Sequence, residues 1–305
     1  MTIISKYRII SFDGGGVKGV LTARLLKRLA EEIPELLELT DLYAGTSTGS
    51  FIALALAYGK TAKEVVNMYS LENLESIFSF PRINLLIPRY DNDNLKTILN
   101  NIFPQELTLK GLNKKVVIPS FKIFNDKYNN WCPTFFNNFP NSENANTRVL
   151  DVALASSAAP SYFPSHNNYI DGGVVINNPS TSALAFAKDS QAGDQMLDNI
   201  SLLSIGTGFS NNKITEDTEN WGIIQWTFNP FSPTSFPLLE ILLDGATEVD
   251  VYFLSQLLGN NYFRLNPTLV NHIDLDDYEK VPDLIELAEK EDLTPVINWI
   301  KENWL

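Results

Sequence analysis

Short apolar runs alternate along the chain with longer segments in which apolar residues recur every three or four positions. The first run, YRIISF at 7–12, is β-branched and aromatic, and the glycines of DGGG follow it. In the segment 17–33 the apolar residues have the spacing of one helix face, with Arg and Lys between them. A strand, a glycine-rich turn and a helix in this order are typical of an α/β unit.

The same alternation continues along most of the chain. It predicts further strands at 41–45, 114–125, 132–138, 169–173, 200–208 and 261–267. It predicts further helices at 48–59, 61–70, 147–159, 179–189, 238–259, 283–293 and 295–305. Because strands that alternate with helices form a mostly parallel sheet between helical layers, we predict a three-layer α/β/α sandwich. We expect residues 1–275 to form one domain and residues 276–305 a helical tail packed on it.

Composition limits the classes of partner. The chain of 305 residues has a formal net charge of -13 and a pI near 4.6, which argues against nucleic acid and against polybasic docking to anionic membranes. Contact with lipid would have to use apolar side chains. No apolar run is long enough to span a bilayer, and residues 1–12 look like a first strand rather than a signal peptide. The single Cys132 cannot form an intrachain disulfide. We therefore expect a cytoplasmic protein, at most peripheral at membranes.

The stretch GTSTG places Ser47 between two glycines, after an apolar strand and before a helix. G-x-S-x-G in this context is typical of a sharp turn that exposes a nucleophilic serine, although a purely structural turn is the alternative. A serine hydroxyl needs a base to take its proton. The two histidines, His166 and His272, lie in polar stretches whose local sequence does not suggest a catalytic triad.

Two further glycine motifs follow predicted strands. DGGGVKG (13–19) fits neither the dinucleotide fingerprint nor the P-loop, but its backbone N–H groups can form an oxyanion hole. Lys18 in this motif either steadies the loop and attracts a phosphate head group, or is a solvated lysine of the first helical turn. In YIDGG, Asp171 lies at a strand end, where open α/β sheets place their sites, although it could also simply cap a turn.

DGGGVKG, GTSTG and DGG in this order resemble the motifs of patatin and the patatin-like phospholipases. The blocks SSAAPSYFP, DGGVVINNP and SIGTG are also similar to this family, so that the resemblance extends over residues 7–266. It implies a FabD/lysophospholipase-like fold and a Ser-Asp dyad of Ser47 as nucleophile and Asp171 as general base and acid. It also implies an oxyanion hole and further residues that support the active site, and it implies neither a metal nor a cofactor. The implied oxyanion residues are Gly14, Gly15 and Gly16, and the supporting residues are Gly45, Gly49, Lys18, Gly172 and Gly173. One departure is Ser50, where many relatives have glycine.

The implied activity is hydrolysis of phospholipid or lysophospholipid esters through an acyl-serine, with lipid at a membrane or micelle surface as the partner. Two apolar, proline-rich segments, 76–88 and 221–239, either line an acyl groove, touch a membrane, or simply pack on the sheet. The competing interpretations are a Ser-His-Asp esterase and a non-catalytic lipid-binding or storage protein. The sequence indicates no oligomeric state, head group or ester position.

Overall fold

The computed structural model describes residues 6–84, 86–125, 129–210, 213–229 and 236–305. Seven strands form one sheet in the order β4-β3-β2-β1-β6-β7, and β5 pairs with β3. The strands are β1 (Tyr7–Phe12), β2 (Leu42–Gly45), β3 (Lys115–Asn125), β4 (Asn130–Asn137), β5 (Tyr169–Asp171), β6 (Ile200–Ile205) and β7 (Tyr262–Leu265). The pairs β1–β2, β1–β6, β2–β3 and β6–β7 are parallel, whereas β4 and β5 run antiparallel to β3.

Thirteen α-helices are present in the described part of the chain. They are α1 (Gly19–Glu32), α2 (Leu36–Leu39), α3 (Thr48–Tyr58), α4 (Ala62–Met68), α5 (Leu71–Phe78), α6 (Asp93–Ile102), α7 (Val149–Ser156), α8 (Ser180–Lys188), α9 (Ile223–Thr227), α10 (Pro237–Glu240), α11 (Thr247–Leu258), α12 (Val281–Lys290) and α13 (Thr294–Asn303). None of the described helices is long and apolar enough to cross a membrane.

Alternate residues of the central strands point into two separate apolar clusters. On one face, Ile9, Leu42 and Leu202 pack with residues of α8 and α11. On the other face, the neighbouring residues Ile10 and Leu203 belong to a larger cluster with α1, α3 and several further helices. Because a strand covered on both faces buries nearly all its side chains, these two clusters explain the mostly apolar runs of the sequence. The predicted three-layer α/β/α sandwich with a mostly parallel sheet is confirmed.

The helix ends follow local sequence signals. Thr61 begins α4 with a capping box, in which its side chain accepts from the backbone of Glu64 and the Glu64 carboxylate accepts from the backbone of Thr61. Gly59 ends α3 in a left-handed conformation with φ 103°. One prediction is wrong, because the single helix expected over 238–259 is interrupted by a π-helical turn at Ile241–Gly245. In that turn Leu243 packs against Gly173, directly after the strand β5. This packing contact accompanies the local departure from regular α-helix.

The last two helices lie against the first helix and the edge of the sheet. Arg28 of α1 donates to the carbonyl oxygens of Ala288 and Glu291 at the end of α12. Trp299 of α13 donates its indole N–H to the Asn260 carbonyl, and Trp304 is fully buried. The segment 276–305 thus shares the larger apolar cluster with the rest of the chain.

Candidate active site

Ser47 occupies a tight turn between β2, which ends at Gly45, and α3, which begins at Thr48. Its backbone has φ 51° and ψ -122°, a combination that a residue with a Cβ rarely adopts. The turn is held by hydrogen bonds from Gly49 N–H to the Thr46 carbonyl, 2.7 Å, and from the Ser50 hydroxyl to the Ser47 carbonyl, 2.6 Å. A strained serine on a strand-to-helix turn is the geometry in which serine hydrolases expose their nucleophile. The serine at position 50 fits this turn and contributes a bond to it.

Pairing between strands explains how Asp171 meets Ser47. The strand β2 pairs with the first residues of β3, and β5 pairs with the same strand farther along, where Asp171 lies opposite Ser120. Asp171 is therefore located just beyond the carboxyl end of β2, where the chain turns into α3. Its Oδ2 accepts a hydrogen bond of 2.7 Å from Ser47 Oγ.

The Asp171 carboxyl is 1% exposed, and this burial governs its protonation. Desolvation raises the pKa of Asp171, and hydrogen bonds from Gly173 N–H and from Ser47 lower it. Desolvation is the larger effect, so that the resulting pKa is about 7. The Gly173 bond, 2.7 Å to Oδ1, also fixes the rotation of the carboxyl group. A carboxylate with a pKa near neutrality is a stronger base toward a hydroxyl than an ordinary aspartate.

Ser156, at the end of α7, connects the nucleophile turn to the strand beside Asp171. Its hydroxyl accepts from Ser47 N–H at 3.0 Å and donates to the Pro119 carbonyl of β3 at 2.7 Å. Pro119 in turn lies against Gly172, since a Cβ on that glycine would overlap the Pro119 carbonyl. This fully buried serine therefore fixes the spacing between the two halves of the Ser47–Asp171 pair.

The glycine loop after β1 passes directly beside Ser47. The N–H of Gly14 donates to the Asn177 carbonyl at 3.1 Å, and the Gly14 carbonyl accepts from the Thr207 hydroxyl at 2.8 Å. Gly15 and Gly16 have φ 153° and 58°, and their N–H groups have no acceptor among the residues that the structure describes. Within the described chain, the Gly14 amide is engaged by Asn177, whereas the amides of Gly15 and Gly16 remain available to an acceptor.

A buried ion pair anchors the start of this loop. Arg264 of β7 donates to both carboxylate oxygens of Asp13, at 2.8 and 2.5 Å, and to the Ser204 hydroxyl at 2.8 Å. Sequence reasoning did not single out Arg264, Asn177, Thr207 or Ser156. Arg264 carried a signal, because it is a charged residue inside the otherwise apolar run YFRL at the end of a strand. Such a residue is rarely buried without a partner.

The remaining predicted site residues lie close to the same centre. Lys18 is 1% exposed and packs beside Gly15, so it is buried rather than solvated. Gly45 and Gly49 lie against each other and against the Phe12 carbonyl, with no room for a Cβ.

Both histidines are hydrogen-bonded to aspartates other than Asp171. His166 Nε2 lies 2.8 Å from Asp151, and His272 Nε2 lies 2.8 Å from Asp274. Among the described residues, the hydrogen-bond partner of Ser47 Oγ is Asp171, with no histidine in its place.

An apolar cavity opens at Ser47, with a volume of about 70 Å³. Helices α3 to α6 and the segment 157–163 form its walls. Its lining residues besides Ser47 are Gly16, Thr48, Phe51, Met68, Tyr69, Leu74, Ile77, Phe78, Leu95, Ile98, Leu99, Ser157, Ala159, Tyr162, Phe163 and Leu275. The expectation that 76–88 lines a groove thus holds for Ile77 and Phe78.

A larger cavity, about 730 Å³, lies on the other side of the glycine loop. Four charged residues, Asp13, Arg264, Lys213 and Glu248, are among its lining residues, and Ser47 is not part of it. The second predicted segment, 221–239, contributes Pro237 to this cavity, and its residues 230–235 lie outside the described part of the chain. The smaller cavity matches an acyl chain better, because its lining is almost entirely apolar and it contains Ser47.

Comparison with known proteins agrees with these motifs. The sequence profile of the patatin-like phospholipases matches residues 10–184. The CotR protein of Bacillus subtilis is 36% identical over 99% of both chains, and protein teg of Priestia megaterium is 37% identical over 99% of this chain and 100% of its own. Human GIVD cytosolic phospholipase A2 superposes with a TM-score of 0.40 at 10% identity, over 98% of this chain and 60% of its own. The profile match and the two bacterial relatives show that the chain belongs to the patatin-like phospholipases, a family of lipid hydrolases.

Proposed function

We propose that this protein hydrolyses fatty-acyl esters of phospholipids or lysophospholipids through an acyl-enzyme on Ser47. The observation that carries the proposal is the 2.7 Å hydrogen bond between Ser47 Oγ and a buried Asp171 carboxylate. No third residue is required between them, because the carboxylate already contacts the proton that must leave. The apolar cavity at Ser47 supplies a site for the acyl chain.

In the first half-reaction Asp171 Oδ2 takes the hydroxyl proton while Ser47 Oγ bonds to the ester carbonyl carbon. The carbonyl oxygen becomes negative and accepts from the N–H groups of Gly15 and Gly16. Each such donor stabilises the transition state by about 3 kcal/mol. These two amides suit the role better than that of Gly14, which donates to Asn177 at 3.1 Å.

Collapse of the tetrahedral intermediate breaks the bond to the leaving alcohol, which receives the proton from Asp171. In the second half-reaction Asp171 takes a proton from water, and the resulting hydroxide attacks the acyl-serine carbonyl. Fatty acid leaves as the proton returns to Ser47 Oγ, so the enzyme regains its initial state. An aspartate with a pKa of about 7 is suited to both directions of transfer.

The acyl chain gains about 0.8 kcal/mol for each CH₂ that the apolar wall removes from water. A cavity of about 70 Å³ accepts only a short chain without side-chain movement, so long chains require flexible residues such as Met68 to shift. A short-chain ester is consequently the first substrate to use.

A relative supports phospholipid as the substrate class. The cGAMP-activated phospholipase of Vibrio cholerae is 31% identical over 67% of this chain and 64% of its own. Its name describes that protein, and by analogy we infer phospholipid at a membrane or micelle surface here. We also infer a cytoplasmic protein that acts peripherally on lipid.

Purified protein is expected to release fatty acid from phosphatidylcholine and from a short-chain ester in the presence of a calcium chelator. His166→Ala and His272→Ala are expected to keep the wild-type rate, since each ring is hydrogen-bonded to an aspartate other than Asp171. The measurement is titration of released acid. Loss of turnover in either histidine variant would favour the Ser-His-Asp esterase, and absence of turnover on every ester would favour the lipid-binding or storage protein.

A further inference from the structure

The loop between α5 and α6, residues 79–92, presents large apolar side chains to solvent. We call its described residues, 79–84 and 86–92, the docking loop. The side chains of Phe80, Ile83 and Leu86 are 87%, 94% and 92% exposed. Three neighbouring apolar residues this exposed on one short loop are unusual for a surface that contacts only water.

Both ends of the docking loop are attached to the walls of the apolar cavity. Phe78, the last residue of α5, lines the cavity directly before the loop begins. At the other end, Arg89 N–H donates to the Ser161 carbonyl at 2.9 Å, and Tyr90 N–H donates to the carbonyl of the cavity residue Tyr162 at 2.8 Å. The exposed tip is therefore held beside the cavity that contains Ser47.

The charge of this region differs from that of the whole protein. The chain has a formal net charge of -13, whereas the segment 79–92 contains two arginines, Arg82 and Arg89, and one acid, Asp91. Their guanidinium groups form ion pairs with Asp91 and Asp276, and the two arginine side chains remain 40% and 38% exposed. An apolar tip flanked by partly exposed arginines is complementary to a phospholipid surface, with acyl chains beneath a layer of phosphates.

We propose that the docking loop inserts Phe80, Ile83 and Leu86 into the surface layer of a phospholipid bilayer, with Arg82 and Arg89 at the level of the phosphates. Insertion would place the mouth of the apolar cavity at the lipid, so that an acyl chain can reach Ser47 without crossing water. The benefit for catalysis rests on the proposed function, whereas binding of the loop to the bilayer does not.

The test measures vesicle binding in the Ser47→Ala background, which prevents turnover of the lipid. Phosphatidylcholine vesicles are sedimented with this protein and with the same protein carrying Ile83→Asp and Leu86→Asp. We expect the double substitution to weaken binding about 100-fold, which is about tenfold for each apolar side chain lost. Met196→Asp is the matched control, because Met196 is 68% exposed and precedes β6 at the opposite end of the sheet. It is expected to bind as well as its parent.

Equal binding by the double variant and its parent would overturn the proposal. A parent protein that does not sediment with vesicles would also overturn it. The same holds if the parent forms a dimer without lipid and the two substitutions dissociate that dimer, since the loop would then contact a second copy of the chain. Turnover of a soluble short-chain ester separates the two proposals. The Ile83→Asp, Leu86→Asp variant with Ser47 intact keeps that turnover if only docking is lost. A wild type that binds vesicles but hydrolyses no ester would contradict the proposed function alone.

Discussion

Asp171→Asn is expected to lower turnover of a soluble ester on the order of 10³-fold, the contribution of a general base, while making the protein more stable at neutral pH. An amide has nearly the shape of the carboxyl group but cannot take the Ser47 proton. It also carries no charge, so the cost of burying a carboxylate disappears.

The sign of the stability change follows from the pKa values. The pKa of Asp171 is raised from 3.8 to about 7 by burial, so between these pH values the unfolded chain has released a proton that the folded protein keeps. Stability of the wild type therefore falls as pH rises from about 4 to 7 and stays reduced above 7. The asparagine variant does not lose this stability and should gain about 4 kcal/mol over the wild type at pH 8, and nothing below pH 4.

Urea denaturation at pH 4 and pH 8 measures the difference in stability between the asparagine variant and the wild type. Asp151→Asn is the comparison variant, for which the opposite change in stability is expected. Burial raises the pKa of Asp151, but hydrogen bonds and charges from Arg148 and His166 outweigh it and lower the pKa overall. That variant should lose stability at neutral pH and keep turnover. If the Asp171→Asn protein is less stable than wild type at pH 8, burial of the Asp171 carboxylate does not destabilise the folded protein, and the raised pKa is wrong.

Gly16→Ala is expected to reduce kcat by about 10²- to 10³-fold, the effect of losing one oxyanion donor. Gly16 has φ 58°, and a Cβ there would overlap the backbone carbonyl of Leu275. That carbonyl already accepts from Val17 N–H at 2.9 Å, so the segment cannot simply move away. The glycine loop would have to shift instead, and this shift would displace the amides that we propose as oxyanion donors.

Gly259→Ala is the control for Gly16→Ala. It introduces a side chain at a residue with positive φ but does not displace the glycine loop. Gly259 has φ 50°, and a methyl group at its Cα would meet no described atom within 4 Å. It lies at the end of α11, away from Ser47. Both variants carry a backbone cost of about 1–2 kcal/mol. The Gly259 variant should lose that stability and keep full kcat on a soluble ester. Equal kcat values in the two variants would remove the glycine loop from the mechanism.

The sequence predicted the layers of the fold because each layer leaves a local pattern. Strands such as ISLLSI are mostly apolar and buried at every position, because both faces of the sheet are covered. Thr61 and Gly59 mark helix ends, Thr61 through its side chain and Gly59 through its backbone conformation. Helices α5 and α6 were missed although their signals were present. Ser70 caps α5, and its Leu71, Leu74 and Phe78 have helical spacing.

The site was only partly predictable, because its second half depends on pairing between distant strands. The motifs and the family resemblance pointed to Ser47 and Asp171, but their contact arises where β5 pairs with β3 beyond the end of β2. No local pattern reports that register. Ser156 was equally hidden, since a buried serine in an alanine-rich helix looks like a small packing residue until its two hydrogen bonds are known.

The assignment of Asp171 as the base for Ser47 is tested most directly by labelling the protein with an active-site phosphonate at several pH values. Mass mapping then identifies the labelled residue. We expect the label on Ser47 and a labelling rate that rises with pH through a midpoint near 7. Asp171→Asn should be labelled at least 100-fold more slowly and without that midpoint. A label on another residue, or an Asp171→Asn protein that reacts at the wild-type rate, would contradict the assignment of Asp171 as the base for Ser47.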